Sequence, residues 1–317
     1  MIGTIDIGGT KTITGLVEKG QILTQEQFPT FVKSWQTHLE ITAQTLEAQC
    51  RQQNLRPQEL EGIGVSLPGM VDSIRGVLLF APYAKWESVP VRDWLIERLG
   101  NPWVAVENDV NACAVGEQML GHAGKMKDFL WITVSTGIGG AIMSNGQLVR
   151  GASQVAGEIG HIKVEYEAPK LCSCGQRGCL EAHASGTAIT REFLQYLKEN
   201  PRVQELCKQQ NLPPDARGCR ILADTGEPGA IQIFQKAAQY LGRGLAAAVN
   251  LFNPEAILVG GGVGRSLDIL LPGIQKTLKE EAVGLARSTP VLYTKLGYEA
   301  AFLGASCLPE FQRRKQS

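Results

Sequence analysis

Apolar positions along the chain alternate between two rhythms, and the change of rhythm marks the elements. Short β-type runs cover residues 2–7, 12–17 and 21–28, close enough together for an antiparallel meander. Ser34 then stands as an N-cap before Trp35, Leu39, Ala43, Leu46 and Cys50, whose spacing follows one face of a helix. Ile63-Gly64-Val65-Ser66-Leu67 is a buried-strand run that Pro68-Gly69 stops. A helix over about 91–99 leads into a strand at Trp103-Val104-Ala105-Val106, which delivers Glu107-Asn108-Asp109 at its end.

The same order restarts, less cleanly, at Phe129-Leu130-Trp131-Ile132-Thr133-Val134. A long helix from about Gly229 to Leu251 is dense in small residues between Gly242 and Ala248, which suits close packing on a sheet. Asn253-Pro254 ends it, and the strand Ala256-Ile257-Leu258-Val259 opens into Gly260-Gly261-Gly262-Val263-Gly264. A strand near 291–293 and a terminal helix from about Glu299 complete the pattern. It predicts an α/β plan laid down twice, with a cleft between two lobes. Residues 1–118 form the N-terminal lobe, completed by a C-terminal helix at about 298–317, and residues 119–297 form a larger second lobe.

Two glycine turns of one design open the two halves. The first is Asp6-Ile7-Gly8-Gly9-Thr10-Lys11-Thr12 and the second is Ser135-Thr136-Gly137-Ile138-Gly139-Gly140. Each is followed by a short strand and a second turn, Lys19-Gly20 in one copy and Asn145-Gly146 in the other. Glycines let a backbone turn tightly and present N–H groups to an anion, so a polyphosphate could be gripped from two sides. Neither turn fits a standard nucleotide fingerprint: Thr10 precedes Lys11 where a Walker A loop needs glycine, and Ile142 and Arg265 break the dinucleotide pattern. By themselves the turns are compatible with two plain hairpins; the polar residues within them raise the phosphate-binding reading, and Asp6 at a strand end could hold a hydrated Mg²⁺.

Composition narrows the classes. The 317 residues exceed the usual size of one core, which favours two lobes. Lys and Arg balance Asp and Glu at 31 each, so no basic field points to nucleic acid. No apolar run is long enough to span a membrane and no secretory signal opens the sequence, which predicts a soluble cytoplasmic protein.

Three of eight cysteines fall in Cys172-Ser173-Cys174-Gly175-Gln176-Arg177-Gly178-Cys179 and the others are scattered singly. In a reducing compartment that clustering reads as a structural zinc site rather than a disulfide with a spare thiol. The fourth ligand is His161 upstream or His183 downstream. Glu107-Asn108-Asp109, between a strand and a helix, supplies an N-cap, a general base, or both.

Together these segments resemble the ROK family of bacterial sugar kinases and related repressors, in the actin/hexokinase-like superfamily. The resemblance rests on Asp6 to Lys11, Leu67-Pro68-Gly69, Glu107-Asn108-Asp109, Ser135 to Gly140, Gly157-Glu158-Ile159-Gly160-His161, Cys172 to Glu181, and Gly260-Gly261-Gly262, in this order. It implies a duplicated ribonuclease H-like fold and phosphorylation of a hexose or N-acylhexosamine by ATP. Asp109 would be the general base, and Gly69, Asn108, Glu158, His161 and Glu181 would contact the sugar. Asp6, Gly8, Gly9, Thr10, Lys11, Thr136, Gly137 and Gly139 would hold Mg²⁺ and the phosphates, with Gly261 and Gly262 near the adenosine. His161 would join Cys172, Cys174 and Cys179 on zinc, leaving His183 an ordinary helix-start histidine. A homodimer is implied as well. Tyr83 departs from the family pattern, standing where many family glucokinases carry a sugar-binding Asn. A repressor of the family needs an added N-terminal winged helix-turn-helix, for which the five residues before Asp6 leave no room, so the kinase is the expectation over a sensor or an idle sugar-binding protein.

Overall fold

The structure, a computed structural model, describes residues 1–314; the last three residues of the expected terminal helix lie outside them. The chain divides into two compact units. The first comprises residues 1–126, 147–156 and the segment from Lys295 onward, and the second comprises residues 127–146 and 157–294.

In the first unit the meander is β1 (Ile2–Ile7), β2 (Lys11–Glu18) and β3 (Gln21–Pro29). The helix capped by Ser34, α1, runs Trp35–Gln52 and buries Leu39, Ala43, Leu46 and Cys50. Strands β4 (Gly62–Leu67) and β8 (Val104–Asn108) extend the sheet in the order β3-β2-β1-β4-β8, with β1, β4 and β8 parallel. Between them lies a small antiparallel sheet of β5 (Met70–Asp72), β6 (Val77–Ala81) and β7 (Trp86–Val89), followed by α2 (Val91–Leu99). β8 runs directly into α3 (Asp109–Met119).

The first unit keeps residues 120–126 because they fold back on the end of α3. The amides of Leu120 and Ala123 donate to the carbonyls of Gly116 and Glu117, and the His122 amide donates to Glu117 Oε2 at 2.9 Å. This compact unit therefore runs to Met126, whereas the expected lobe ended at residue 118. Residues 147–156 also join this unit. Within them Arg150 donates through Nε to Glu107 Oε2 at 2.9 Å, a partly buried arginine on a carboxylate that is 1% exposed. An isolated buried Glu107 charge would be costly, so Arg150 is held by the need to neutralise it. The last helix, numbered α10 in chain order (Ala300–Arg313), contributes Phe302 and Leu303 to a cluster with Ile13 and Val17 of β2.

In the second unit β9 (Phe129–Val134) and β10 (Ile138–Ser144) form the second hairpin; the two-residue strand β11 (Gln147–Leu148) after its Asn145-Gly146 turn already belongs to the first unit's residues 147–156. The strands β12 (Ala256–Gly260) and β13 (Val291–Tyr293) continue the sheet in the order β10-β9-β12-β13. Helices α4 (Leu180–Ala184), α5 (Gly186–Glu199), α6 (Pro201–Gln209), α7 (Ala216–Asp224), α8 (Pro228–Phe252) and α9 (Leu267–Glu281) complete the unit. The small residues of α8 accommodate helices as their close neighbours: Gly244 lies under Leu180 of α4, and Gly242 under Thr277 of α9. This corrects the expectation that they face the sheet. No helix among the described residues is long and apolar enough to cross a membrane.

Candidate active site

The parallel register of β1, β4 and β8 aligns the first unit's polar residues at one edge. Asp6 stands opposite Ser66, and Leu67 stands opposite Asn108, so three strands end together. The carboxyl ends of parallel strands are where α/β folds place ligands. Asp6 accepts from Ser66 Oγ at 2.7 Å. Burial raises its pKa, and the Ser66 hydrogen bond and the Lys11 charge oppose that rise. Such a carboxylate suits a cation, because a nearby positive charge would offset the desolvation.

Of the two roles their segment offered, the structure gives the cap to Asn108. Asn108 is the cap: its Oδ1 accepts from the amides of Val110 at 2.9 Å and Asn111 at 3.2 Å. Its Nδ2 donates to the carbonyl of Gly69 at 3.1 Å. Gly69 holds φ +122, and a Cβ there would lie 2.4 Å from the carbonyl oxygen of Phe80, so glycine is required. Asp109 is the first residue of α3 and is not completely buried, with Oδ1 accepting from the Val110 amide at 3.0 Å. The Glu107–Arg150 pair supports the same segment, since Glu107 Oε1 accepts from Asn111 Nδ2 at 3.0 Å. Glu107 was visible beside its motif, but no local pattern marked Arg150 as its partner.

The first glycine turn closes with the Gly8 amide donating to the Lys11 carbonyl at 2.8 Å. Gly9 and Thr10 are exposed, and Lys11 Nζ reaches Gln27 Oε1 at 3.1 Å. Thr12 is used differently from the expectation that the turn hydroxyls face phosphate. It is fully buried, and its hydroxyl lies 3.0 Å from both Thr30 Oγ1 and His38 Nε2. The Phe31 amide donates to His38 Nδ1 at 3.3 Å, which leaves the ring proton on Nε2. The bonds then run from His38 Nε2 to Thr12, from Thr12 to Thr30, and from Thr30 to the Gly8 carbonyl at 2.8 Å. A buried neutral histidine thus fixes the floor of the turn. Its position inside α1 carried no signal of that role.

Burial lowers the His38 pKa from 6.5 to about 4. The folded state therefore resists a proton that the unfolded chain accepts. The resulting stabilisation is full above about pH 6.5 and is lost as pH falls toward 4. Its full size is roughly 3 kcal/mol. Urea unfolding across this range should show that slope, and His38→Gln should remove it; an unchanged slope would refute the assignment.

In the second unit, the turn after β9 is tied down at several points. The Gly186 amide at the start of α5 donates to the Ser135 carbonyl at 2.7 Å, and Thr187 Oγ1 donates to the Thr136 carbonyl at 2.8 Å. Thr136 is exposed, and Gly137 and Gly139 are partly exposed. Gly261 holds φ +88, where a Cβ would lie 2.5 Å from the Val134 carbonyl oxygen. A cavity of about 630 Å³ is lined by Ser135, Thr136, Thr187, Gly262 and Arg265 among others. Gly262 thus faces the space that the second turn borders.

The candidate metal centre lies in the same unit. The ligand atoms of His161, Cys172, Cys174 and Cys179 lie within 4.8 Å of one another. Cys174 Sγ and Cys179 Sγ are 3.8 Å apart, unbonded, and Cys172 Sγ is 3.7 Å from His161 Nδ1. Tetrahedral Zn²⁺ with Zn–S near ~2.3 Å gives ligand edges of about 3.5–3.8 Å, so the donor set fits zinc. His161 turns Nδ1 toward the sulfurs, while Nε2 lies 3.8 Å from Glu158 Oε2. His183 lies outside this cluster: its Nε2 accepts from the Lys170 amide at 3.2 Å, and its ring packs on Tyr240.

Glu181 joins the knuckle to the second glycine turn. Its Oε1 accepts from Ser173 Oγ at 2.7 Å, and its Oε2 accepts from the Ile138 amide at 3.1 Å. That connection was not legible from the motif, which implied only a sugar contact.

Comparison with known proteins bears on the family and the fold. A family model described as the ROK family matches residues 2–311. The glucokinase of Streptomyces coelicolor is 34% identical over 311 residues, 96% of each chain. The solved ROK hexokinase of Thermus thermophilus is 33% identical with a TM-score of 0.80, covering 100% of this chain and 99% of that one. A ROK family glucokinase from Streptomyces griseus, solved in complex with glucose and AMPPNP, is also 33% identical, with a TM-score of 0.79 over 96% of this chain and 97% of its own. The α/β fold is that of the actin/hexokinase-like ATPases. On matches spanning nearly its whole length, the chain belongs to the ROK family.

Proposed function

We propose that the protein transfers the γ-phosphoryl group of ATP to a hydroxyl of a hexose or N-acylhexosamine, as a glucokinase, fructokinase or N-acetylmannosamine/N-acetylglucosamine kinase does. The observation that carries this reading is Asp109 at the head of α3, on the same strand-end edge as Asp6 and the Gly8-Gly9 turn. The Asp109 carboxylate takes the proton from the sugar hydroxyl as its oxygen attacks the γ-phosphorus. The bond from that phosphorus to the β–γ bridging oxygen breaks, and ADP leaves. Asn108, Glu158, His161, Glu181 and the Gly69 backbone bind the other acceptor hydroxyls.

Gly8, Gly9, Thr10, Lys11, Thr136, Gly137 and Gly139 hold the phosphates. Gly261 and Gly262 pass the nucleoside, a role supported by the cavity beside Gly262. Asp6 would hold hydrated Mg²⁺, which neutralises phosphate charge. Zinc would occupy the His161, Cys172, Cys174 and Cys179 set as a structural ion, since four protein ligands leave no open position. Fixing His161 through Nδ1 would also set the orientation of Nε2 for a sugar hydroxyl. The glucose and AMPPNP in the Streptomyces griseus structure support both substrate classes. The proposal includes a cytoplasmic homodimer without nucleic-acid or membrane partners.

The test is incubation of purified protein with ATP and Mg²⁺ against glucose, mannose, fructose, N-acetylglucosamine and N-acetylmannosamine, following ADP release. Sugar-dependent ADP formation from at least one of them is expected. Sugar binding without turnover would instead mark a sensor.

A further inference from the structure

Beside the cysteine cluster, the second unit holds a cavity of about 220 Å³ that the proposed phosphoryl transfer does not use. Four segments wall it: Lys170 ahead of the cluster, His183 on α4, Glu192 on α5, and Gln232, Lys236 and Tyr240 on α8. His183 stands two residues after Glu181, and side chains so spaced do not share a helix face. The cavity therefore lies on a different side of α4 from the second glycine turn, which Glu181 meets.

The polar groups of this wall have donors to spare. His183 is 6% exposed, and its Nε2 accepts from the Lys170 amide, which puts the ring proton on Nδ1. The Nδ1–H has no partner among the described residues and is not sealed from solvent, so it opens on the cavity. Burial lowers the His183 pKa and the Lys170 charge adds to that, which keeps the ring a neutral donor. Glu192 is already held by the ammonium of Lys170 and by Arg191 Nε at 3.4 Å. Lys236 is exposed and makes no ion pair among the described residues, so three cations, Lys170, Arg191 and Lys236, face one carboxylate. Glu165 does not redress the balance, because Arg243 faces it at 3.8 Å. The Tyr240 hydroxyl is spent on Glu165 at 2.9 Å, leaving its ring as a wall under His183. A cation would be repelled here, and an apolar ligand would strand the donors. A phosphate group answers the charge excess and accepts from both an N–H and an ammonium.

We propose that this cavity is a second ligand site, in which Lys236 and His183 Nδ1–H bind the phosphate group of a small phosphate ester or of free phosphate. The Gln232 amide is placed for a hydroxyl carried by an ester. Lys170 enters the cysteine cluster two residues later, so a bound phosphate also steadies the contact between that segment and α4. The site stands on its own residues, whatever the acceptor chemistry of the protein.

Calorimetric titration with inorganic phosphate and with glucose 6-phosphate tests the assignment, with AMPPNP and glucose present to fill the proposed ATP and sugar sites. At least one probe should bind wild type and raise its unfolding midpoint. Lys236→Gln should weaken that binding about tenfold, the loss of one charge-assisted hydrogen bond, and Lys236→Glu should abolish it. Without ligand, Lys236→Gln should unfold at the wild-type temperature, because the exposed ammonium pairs with nothing. Equal affinity for the two probes marks a site for the phosphate alone, and tighter binding of the ester marks one that also reads its hydroxyls. Binding that survives Lys236→Glu would put the phosphate elsewhere and overturn the proposal, as would no binding of either probe at millimolar concentration. Should AMPPNP and glucose themselves fail to bind, the kinase reading falls, while the charge-reversed variant still locates the phosphate.

Discussion

Asp109→Asn should lower kcat by ~10²–10⁴-fold, the usual contribution of a general base, while sugar affinity stays close to wild type. Asparagine preserves the shape and can still accept the Val110 amide, which Asp109 Oδ1 accepts at 3.0 Å. The start of α3 also has its own cap in Asn108, which accepts from two amides. Folding should therefore survive, and the defect should appear in turnover. What asparagine lacks is a basic oxygen to take the sugar proton. Single-turnover kinetics beside calorimetric sugar binding separate the two quantities. Near-normal kcat in the variant would remove Asp109 from the mechanism; equal losses of affinity and kcat would make it chiefly a binding residue.

Cys174→Ser should lose metal, activity and much of the second unit's stability together. Structural zinc sites contribute ~10–16 kcal/mol of apparent binding energy at neutral pH, more than most single changes can remove. The knuckle also reaches beyond itself. Ser173, between two of the proposed ligands, donates to Glu181, and Glu181 accepts the Ile138 amide at the second glycine turn. Unravelling the loop should disturb that turn as well as His161. Elemental analysis should find about one zinc per chain in wild type and none in the variant. KM for ATP measured on partly chelated protein would reveal the link to the turn. Full activity in zinc-free protein would refute the coupling of the metal to activity.

Much of the site could be read from local chemistry. The segment Glu107-Asn108-Asp109 offers a cap and a carboxylate at a strand end, and the structure shows Asn108 as the cap with the partly exposed Asp109 carboxylate beside it. The Cys172–Cys179 spacing predicts convergence, and the three sulfurs do converge with His161. Pairing across long sequence distances was not readable. Glu107 and Arg150 are 43 residues apart, and Thr12 and His38 are 26 apart. The small sheet of β5, β6 and β7 also escaped notice, because its strands are three to five residues long and show no clear alternation. The helices α5, α6, α7 and α9 likewise had no place in the predicted order.

The sequence by itself determined the alternation of strands and helices, the two glycine turns and the kinds of chemistry at each strand end. Those properties are local: periodicity, caps, turn residues and ligand spacing act within a few residues of one another. Tertiary structure decided which polar atoms are spent and which are left over. It committed Thr12 to His38 and Thr30, tied Glu181 to the second turn, and left the Tyr83 hydroxyl buried beside Asp109 without a partner. Such outcomes depend on burial and on neighbours brought together by the fold, and a linear pattern does not encode the distance between two side chains.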